Sequence, residues 1–304
     1  MKLDFVSARG DILTLSENKY FSITNIDGMT AAATSISSNV IGGVDGDTVN
    51  NIQAQPRGIV IDLQIKSGVD VEEAKREILR VVKLKQQGAL IWDYKGRIKS
   101  ISGIVESIDM PRWNDAVMLQ IFLYCSVPFW EDVDFVVSQI SEAISLHYFT
   151  ENYTDMLYFP DEGIAFGEID TLRTKHFYNS GDVSTGLEIT IVALDTVTNP
   201  IIYDQYGNFF GIGYTLEQIS TNPNLGSAYA YKPFTMQAGD SVVITTNKGN
   251  KTVIYNGAAS VLDLVKPNST WLQLETGDNA FTINSDDESI TNMYFSIAYK
   301  QRYI

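Results

Sequence analysis

The chain of 304 residues is poor in the side chains that most catalytic and metal sites require. Its one cysteine, Cys125, excludes an intrachain disulfide and any zinc or iron–sulfur site built from several thiolates. Because Cys125 ends an apolar run, we expect a small core residue rather than a reactive thiol. The two histidines, His147 and His176, lie in no recognisable catalytic motif, and His176 is expected to face solvent. The sequence therefore predicts no catalytic residue, no metal site and no cofactor.

Positive charge is also scarce, with 22 Lys and Arg against 37 Asp and Glu and a formal net charge of -15. Nucleic acids and anionic membrane surfaces are bound mainly through basic side chains, so both are disfavoured as ligands. The imbalance belongs to one half of the chain: residues 1–130 hold 14 basic and 15 acidic residues, and residues 131–304 hold 8 and 22. With so many acids, neighbouring carboxylates are expected by chance and do not indicate a glycosidase.

Long apolar runs are missing as well. No stretch reaches the ~20 apolar residues that a membrane-spanning helix needs. The richest apolar run, residues 116–124, has the length of a strand, and the first residues lack the apolar stretch of a signal peptide. We therefore expect the chain to be made and to fold in a cytoplasm.

One segment has the pattern of an amphipathic helix. Asp70 and Glu73 form a predicted capping box, and apolar residues then recur at helical spacing up to Val82. Gly88 is the predicted C-terminal stop. The pattern indicates a helix that covers a sheet in an α+β N-terminal domain. The predicted strands of that domain are residues 59–65, 89–92, 98–108 and 117–125.

Residues 27–55 contrast with these strands. They are rich in Gly, Ala, Ser, Thr and Asn and show no sustained apolar period. A long polar segment inside a compact domain is usually either functional or disordered. We interpret this one as an extended hairpin, an arm that reaches away from the first domain.

Residues 131–304 are predicted to form a second, mainly β domain after a boundary near residue 130. Short strands are separated by turn signals such as Asn247-Lys248-Gly249-Asn250 and Asn256-Gly257. Strands at this spacing predict a β-sandwich. Aromatic residues crowd residues 203–231, where they either pack in the core and its loops or form a platform for a sugar ring or a neighbouring protein.

Several stretches, in order, resemble the distal tail protein (Dit) family of long-tailed, non-contractile bacteriophages, the siphophages. The resemblance comprises a small-residue arm followed by an Arg-initiated strand, a helix that leads into further strands, a Cys-x-x-Pro-aromatic-Trp motif, and glycine-rich turns in the second half. These are residues 20–61, 71–105, 123–130, 159–167, 178–186, 238–241 and 274–279. Residues 206–231 depart from the family pattern and are interpreted as an insertion.

The resemblance implies a virion structural protein rather than an enzyme. Family members form a homohexameric ring through the N-terminal domain, which joins the tail tube protein to the tail-tip hub or baseplate and leaves a channel through which DNA passes unbound. The C-terminal domain is galectin-like, resembles carbohydrate-binding modules, and contacts a receptor-binding protein or host saccharide in some members. We expect the chain to be made in the bacterial host and to reside at the tail tip. The expected interface residues, on or beside the arm, are Val44, Asp45, Gly46 and Arg57.

A carbohydrate-binding module for host-surface adhesion is the alternative function. In that case aromatic side chains of the insertion stack on sugar rings. The candidates are Tyr206, Phe209, Tyr214 and Tyr229. The two functions are compatible, because a ring can carry binding domains.

Overall fold

The computed structural model describes residues 2–43, 45–110, 112–113, 116–138, 143–145, 167–169, 174–214, 232–286 and 292–304. The chain divides into two compact units. Unit 1 comprises Met1–Asp134 together with Arg302–Ile304, and unit 2 comprises Phe135–Gln301. No helix in the described ranges is long and apolar enough to cross a membrane.

The elements of unit 1 begin with eleven strands and one helix. They are β1 (Lys2–Ser7), β2 (Ile12–Thr14), β3 (Phe21–Asp27), β4 (Thr34–Val40), β5 (Asp47–Ala54), β6 (Arg57–Ile65), α1 (Val71–Val81), β7 (Gln87–Tyr94), β8 (Arg97–Asp109), β9 (Arg112–Trp113), β10 (Ala116–Cys125) and β11 (Trp130–Asp132).

The remaining strands are short, and all belong to unit 2 except the last, which belongs to unit 1. They are β12 (Val136–Ser138), β13 (Ala143–Ser145), β14 (Gly167–Ile169), β15 (Thr174–Asn179), β16 (Thr185–Ala193), β17 (Val197–Thr198), β18 (Ile201–Asp204), β19 (Phe209–Gly211), β20 (Thr235–Met236), β21 (Ser241–Asn247), β22 (Asn250–Tyr255), β23 (Ala259–Ser260), β24 (Gln273–Leu274), β25 (Gly277–Asn284), β26 (Met293–Tyr299) and β27 (Arg302–Tyr303).

Unit 1 is built on an antiparallel sheet with the strand order β2-β1-β7-β8-β10-β6-β3. Along β6, Ile59, Ile61 and Leu63 are fully buried, and the residues between them point to the other face. The alternation predicted for this strand is therefore confirmed. At the end of the chain, β27 pairs with β11, and Arg302 forms an ion pair with Glu131 at 2.7 Å.

Helix α1 begins where the sequence predicts and ends elsewhere. Asp70 is its N-cap, and its carboxylate accepts a hydrogen bond from the Glu72 backbone N–H at 3.0 Å. The predicted stop at Gly88 is wrong, because the helix ends at Val81 and Gly88 lies within β7. A Cβ at Gly88 would overlap the Phe5 ring of β1, so close packing between strands requires this glycine.

Unit 2 is a β-sandwich. One sheet has the order β12-β26-β16-β21-β22-β23, and the other has the order β15-β25-β18-β19. Both supply side chains to one apolar cluster, including Ile189 and Ile244 from the first sheet and Ile202 and Phe281 from the second. The predicted fold class, mainly β with a helix in the first half and a sandwich in the second, is confirmed.

Two predicted turns of unit 2 are also confirmed. Strands β21 and β22 form a hairpin in which Asn247 pairs with Asn250. Asn256 and Gly257 both have positive φ values, 47° and 67°, and carry the chain from β22 to β23. Asn and Gly tolerate this backbone conformation better than other residues, which explains why the dipeptide predicted the turn.

Candidate functional site

The predicted arm is an antiparallel hairpin of β4 and β5, and every residue of both strands is exposed. In the described part of the chain, these strands pair only with each other. Their register is regular up to the pair Ser37–Asn51 and then shifts, so that Ser38 pairs with Val49. Asn50 is therefore the extra residue of a β-bulge.

The bulge places the large apolar side chains of the two strands on one face. Directly paired residues share a face of a two-stranded ribbon, and Ile36 pairs with Ile52. Because of the register shift, Val49 and Val40 lie on the same face as these isoleucines. The four side chains are between 50% and 82% exposed. The opposite face carries Ser35, Ser37, Asn39, Thr48, Asn51 and Gln53.

Charge is almost absent from the arm. Residues 29–56 contain no Lys or Arg, and their two acids, Asp45 and Asp47, lie near the tip. A ribbon with an exposed apolar face and few charges is suited to contact with another apolar surface.

Gly28 fixes the point at which the chain leaves β3 for the arm. Its φ is +83°, and a Cβ there would overlap the carbonyl oxygen of Gly58 at the start of β6. Glycine alone combines this left-handed backbone with such a close approach. The arm therefore starts from a close backbone contact with the sheet of unit 1.

The expected interface residues do not all lie together. Asp45 and Gly46 lie near the tip of the arm, and Val44 lies outside the described residues. Arg57 is 4% exposed at the start of β6, and its Nη1 donates a long 3.5 Å hydrogen bond to the Met29 carbonyl. Its Nε and Nη2 have no hydrogen-bond partner among the described residues, and burial lowers the pKa of the guanidinium. Arg57 is thus buried near the root of the arm rather than exposed on it.

The face of the unit 1 sheet that points away from its core has an apolar strip. Ile104 of β8 pairs with Tyr124 of β10, and both side chains are exposed. Phe122 lies on the same face of β10, with its ring over Gly58, where a Cβ would overlap it. We call Ile104, Phe122 and Tyr124 the outer strip.

The aromatic residues predicted to contact sugar or protein are in different surroundings. Tyr206 is 70% exposed between β18 and β19, and Phe209 is partly buried beside Tyr203. Tyr214 is 1% exposed, so its ring is not accessible to a ligand, and its backbone pairs with Lys232. Tyr229 lies outside the described residues, as does the rest of residues 215–231.

Tyr206 lines a cavity of about 150 Å³ in unit 2. Its lining includes Asp204, Gln205, Tyr206, Trp271, Gln273 and Glu275. The sequence did not indicate Trp271 as part of a site, because it is remote in sequence from the aromatic cluster. The pairing of β18 with β25 and the course of the chain before β24 bring these segments together.

His176 is the one histidine of the chain that the structure describes. His176 is exposed on β15, as expected, and His147 lies outside the described residues. Among the residues that the structure describes, no three His, Cys, Asp or Glu side chains are grouped so that they could hold a metal ion.

Cys125 is a core residue, as predicted, with an exposed fraction of 1% and a pKa raised by burial to about 11. We expect the native chain to resist iodoacetamide at about pH 8, because roughly one thiol in a thousand is ionised there and access is blocked. The chain unfolded in urea should be alkylated fully under the same conditions. Intact mass after timed quenching measures both rates. Rapid stoichiometric labelling of the native chain would contradict the buried thiol.

The chain resembles known phage tail proteins. The family model for the siphovirus-type tail component, C-terminal domain, matches residues 222–303. The crystal structure of the Dit protein of phage SPP1 aligns with 99% of this chain and 99% of its own, at 11% identity and a TM-score of 0.65. That protein is described as a paradigm of the hub adsorption apparatus in phages that infect Gram-positive bacteria.

Two further structures show a weaker likeness. The baseplate of phage P2, in its activated conformation with Ca and with Sr, aligns with 99% of this chain and 97% of the other chain, at 10% identity and a TM-score of 0.49. No curated protein sequence matches the chain. The tail component domain and the SPP1 Dit fold together confirm the resemblance to the distal tail protein family that the sequence predicted.

Proposed function

We propose that the chain is a structural component of a bacteriophage tail tip, where a homohexameric ring joins the tail tube protein to the tail-tip hub or baseplate. The tail component domain and the SPP1 Dit fold support the tail-tip role. The observation that carries ring formation is the apolar face of the arm, which has no partner among the described residues. An exposed apolar face of this kind marks an interaction surface.

The arm is long enough to engage a neighbouring subunit. Strand β4 has 7 residues, which at roughly 3.3 Å per residue give about 23 Å of reach. A small domain is about 30 Å across, so the arm spans much of the width of an adjacent copy. Its apolar face can therefore be covered by one neighbour along most of its length.

A closed ring of identical subunits needs two different surfaces on each copy, one that reaches and one that receives. The apolar face of the arm is the reaching surface. The outer strip, Ile104, Phe122 and Tyr124, has the matching apolar chemistry of a receiving surface. Covering both stabilises each contact by roughly 25 cal/mol per Å² of apolar area removed from water.

The charge distribution supports passage of DNA without binding. Tight DNA binding depends on Lys and Arg that neutralise phosphates. Residues 1–130, which we assign to the ring, hold 14 basic and 15 acidic residues and are nearly neutral. A nearly neutral ring domain fits a channel that does not hold the DNA moving along it, and the charge of the channel wall depends on which of its residues face inward.

We assign to residues 131–304 the contacts with other baseplate proteins or with a receptor-binding protein. These residues hold 22 acidic and 8 basic side chains. The acidic domains of neighbouring subunits therefore repel each other, which keeps them soluble and apart. Salt screens this repulsion beyond the Debye length, which is about 8 Å at physiological ionic strength. The galectin-like character of this domain remains part of the proposal.

Native mass spectrometry of the purified chain at about 30 μM, with negative-stain imaging, tests the ring. We expect a homohexamer and ring-shaped particles with a central hole. A chain that stays strictly monomeric at this concentration contradicts ring formation. An electrophoretic shift of duplex DNA by the ring contradicts the unbound passage of DNA.

A further inference from the structure

We propose that unit 2 forms an intramolecular amide bond between the side chains of Lys266 and Asn199, with Asp286 as the group that carries the proton. The three residues lie on different segments: Asn199 lies between β17 and β18, Lys266 between β23 and β24, and Asp286 after β25. All belong to unit 2 of a single chain, so the inference is independent of ring formation. Such a bond needs no oxidant, which suits a chain whose one cysteine excludes an intrachain disulfide.

Backbone hydrogen bonds hold the three segments together. The Asp286 N–H donates to the carbonyl of Thr198, the residue before Asn199, at 3.1 Å. The Lys266 N–H donates to the carbonyl of Gly211 at 2.8 Å, and Gly211 lies on β19, the strand that pairs with β18. The main chain therefore brings the three side chains to one place, and their meeting does not depend on the side chains alone.

The Asn199 carboxamide is buried and held at both of its polar atoms. Its Oδ1 accepts a hydrogen bond from the Phe234 backbone N–H at 2.8 Å, and its Nδ2 donates to Asp286 Oδ2 at 2.7 Å. A donor on the carbonyl oxygen stabilises the negative charge that develops there when a nucleophile attacks the carbon. Gly213 leaves the space for this group, because its φ is +77° and a Cβ would overlap Asn199 Oδ1.

The Lys266 amine is placed to act as the nucleophile. Its Nζ lies 4.0 Å from Asp286 Oδ1, and the two side chains are only 15% and 13% exposed. The Nζ also lies 5.9 Å from the centroid of the Phe209 ring. Burial lowers the pKa of the ammonium group, which favours the neutral amine that nucleophilic attack requires.

Asp286 connects the two reacting groups, because one carboxylate oxygen faces the amine and the other holds the carboxamide nitrogen. The carboxylate takes a proton from the Lys266 ammonium, and the neutral Nζ attacks Asn199 Cγ to form the new N–C bond. Asp286 passes its proton to Nδ2, and the Cγ–Nδ2 bond breaks. The departing ammonia takes the remaining proton of the attacking nitrogen and leaves as an ammonium ion. An ammonium and a carboxamide thus give a secondary amide, and the chain loses one NH₃, about 17 Da.

Intact-mass spectrometry of the full chain, after purification and overnight incubation, tests the bond. We expect a mass about 17 Da below that of the sequence. After digestion with trypsin, residues 176–248 and 252–300, which contain Asn199 and Lys266, should appear as one linked species. Lys266→Arg keeps the positive charge, and Asp286→Asn removes the proton carrier. Each variant should have the mass of its sequence and give the two peptides separately.

Lys232→Arg is the matched control. Lys232 forms an ion pair with Asp263 at 3.3 Å, but that carboxylate is 69% exposed, so the variant should still lose about 17 Da. Three outcomes overturn the proposal: the native chain has the mass of its sequence, Lys266→Arg still shows the loss, or the loss occurs without the linked peptides, as with a succinimide at Asn256. A chain that forms rings but has the mass of its sequence retains the adaptor function and loses only the cross-link.

Discussion

Replacing Ile36 and Ile52 by serine is expected to abolish the ring and leave the subunit folded. The two side chains pair across the arm and are 62% and 63% exposed, so their loss costs the isolated subunit little. In the proposed ring both are buried against the neighbouring copy, where each is worth roughly 1.5–3 kcal/mol. The loss recurs at every contact around the ring. Native mass spectrometry should therefore show a monomer, with a thermal midpoint close to that of the unassembled native subunit.

Ser37 and Asn51 give the matched control for this variant. They are the next directly paired residues along the arm and point to its opposite, polar face. Ser37→Ala with Asn51→Ala changes as many side chains and leaves the apolar face intact, so the ring should persist. Survival of the ring in the Ile36→Ser, Ile52→Ser chain would exclude the apolar face as the interface. Loss of the ring in both variants would show that the contact does not depend on one face.

The arm also shows how far a sequence can predict such a site. Its polar composition indicated an extended hairpin, and the structure has one. Its apolar face was not predictable, because Val49 and Ile52 are an odd number of residues apart and would lie on opposite faces of a regular strand. The bulge at Asn50 reverses that assignment, and its position follows from cross-strand pairing rather than from any local signal.

Local signals succeeded elsewhere where a single residue decides the backbone conformation. Asp70 starts the helix through its own carboxylate, and the Asn256-Gly257 turn follows from the positive φ values that these residues tolerate. The prediction failed at Gly88, where the glycine serves strand packing against Phe5. The sequence alone did not show whether Gly88 ends the helix or allows close packing between strands.

Features that depend on distant parts of the chain were the least predictable. Arg302 reaches Glu131 across 171 residues of sequence, and no periodic pattern connects these positions. Tyr214 lies in a glycine-rich stretch for which the sequence left both core packing and an exposed aromatic platform open, and its side chain is buried. Trp271 joins the cavity beside Tyr206 through tertiary packing alone. Pattern reasoning could propose an aromatic site in this region and could not say which rings are accessible.

Arg57 presents a different problem, because it is a buried charge with no counter-charge among the residues that the structure describes. Two of its three guanidinium nitrogens have no hydrogen-bond partner in the described part of the chain, and burial lowers the pKa of Arg57. The group nevertheless stays protonated at neutral pH, since the ordinary pKa of arginine lies so far above it. A charge in this situation loses its hydration without regaining equivalent hydrogen bonds.

Arg57→Met is therefore expected to stabilise the isolated subunit, by about 1–4 kcal/mol, because a side chain of similar length fills the space without a charge. Chemical denaturation of the unassembled chain measures this change, and Arg57→Lys, which keeps a buried charge, should not stabilise. The ring gives a second readout. Because Nε and Nη2 are buried within the subunit, an acceptor of a neighbouring copy, such as Asp45 or Asp47 of its arm tip, reaches them only if assembly opens the root of the arm. If Arg57 belongs to the interface, Arg57→Met should raise the stability of the subunit and also lower the ring population. An unchanged ring population removes Arg57 from the interface. A less stable subunit shows that the buried charge of Arg57 does not destabilise the native subunit.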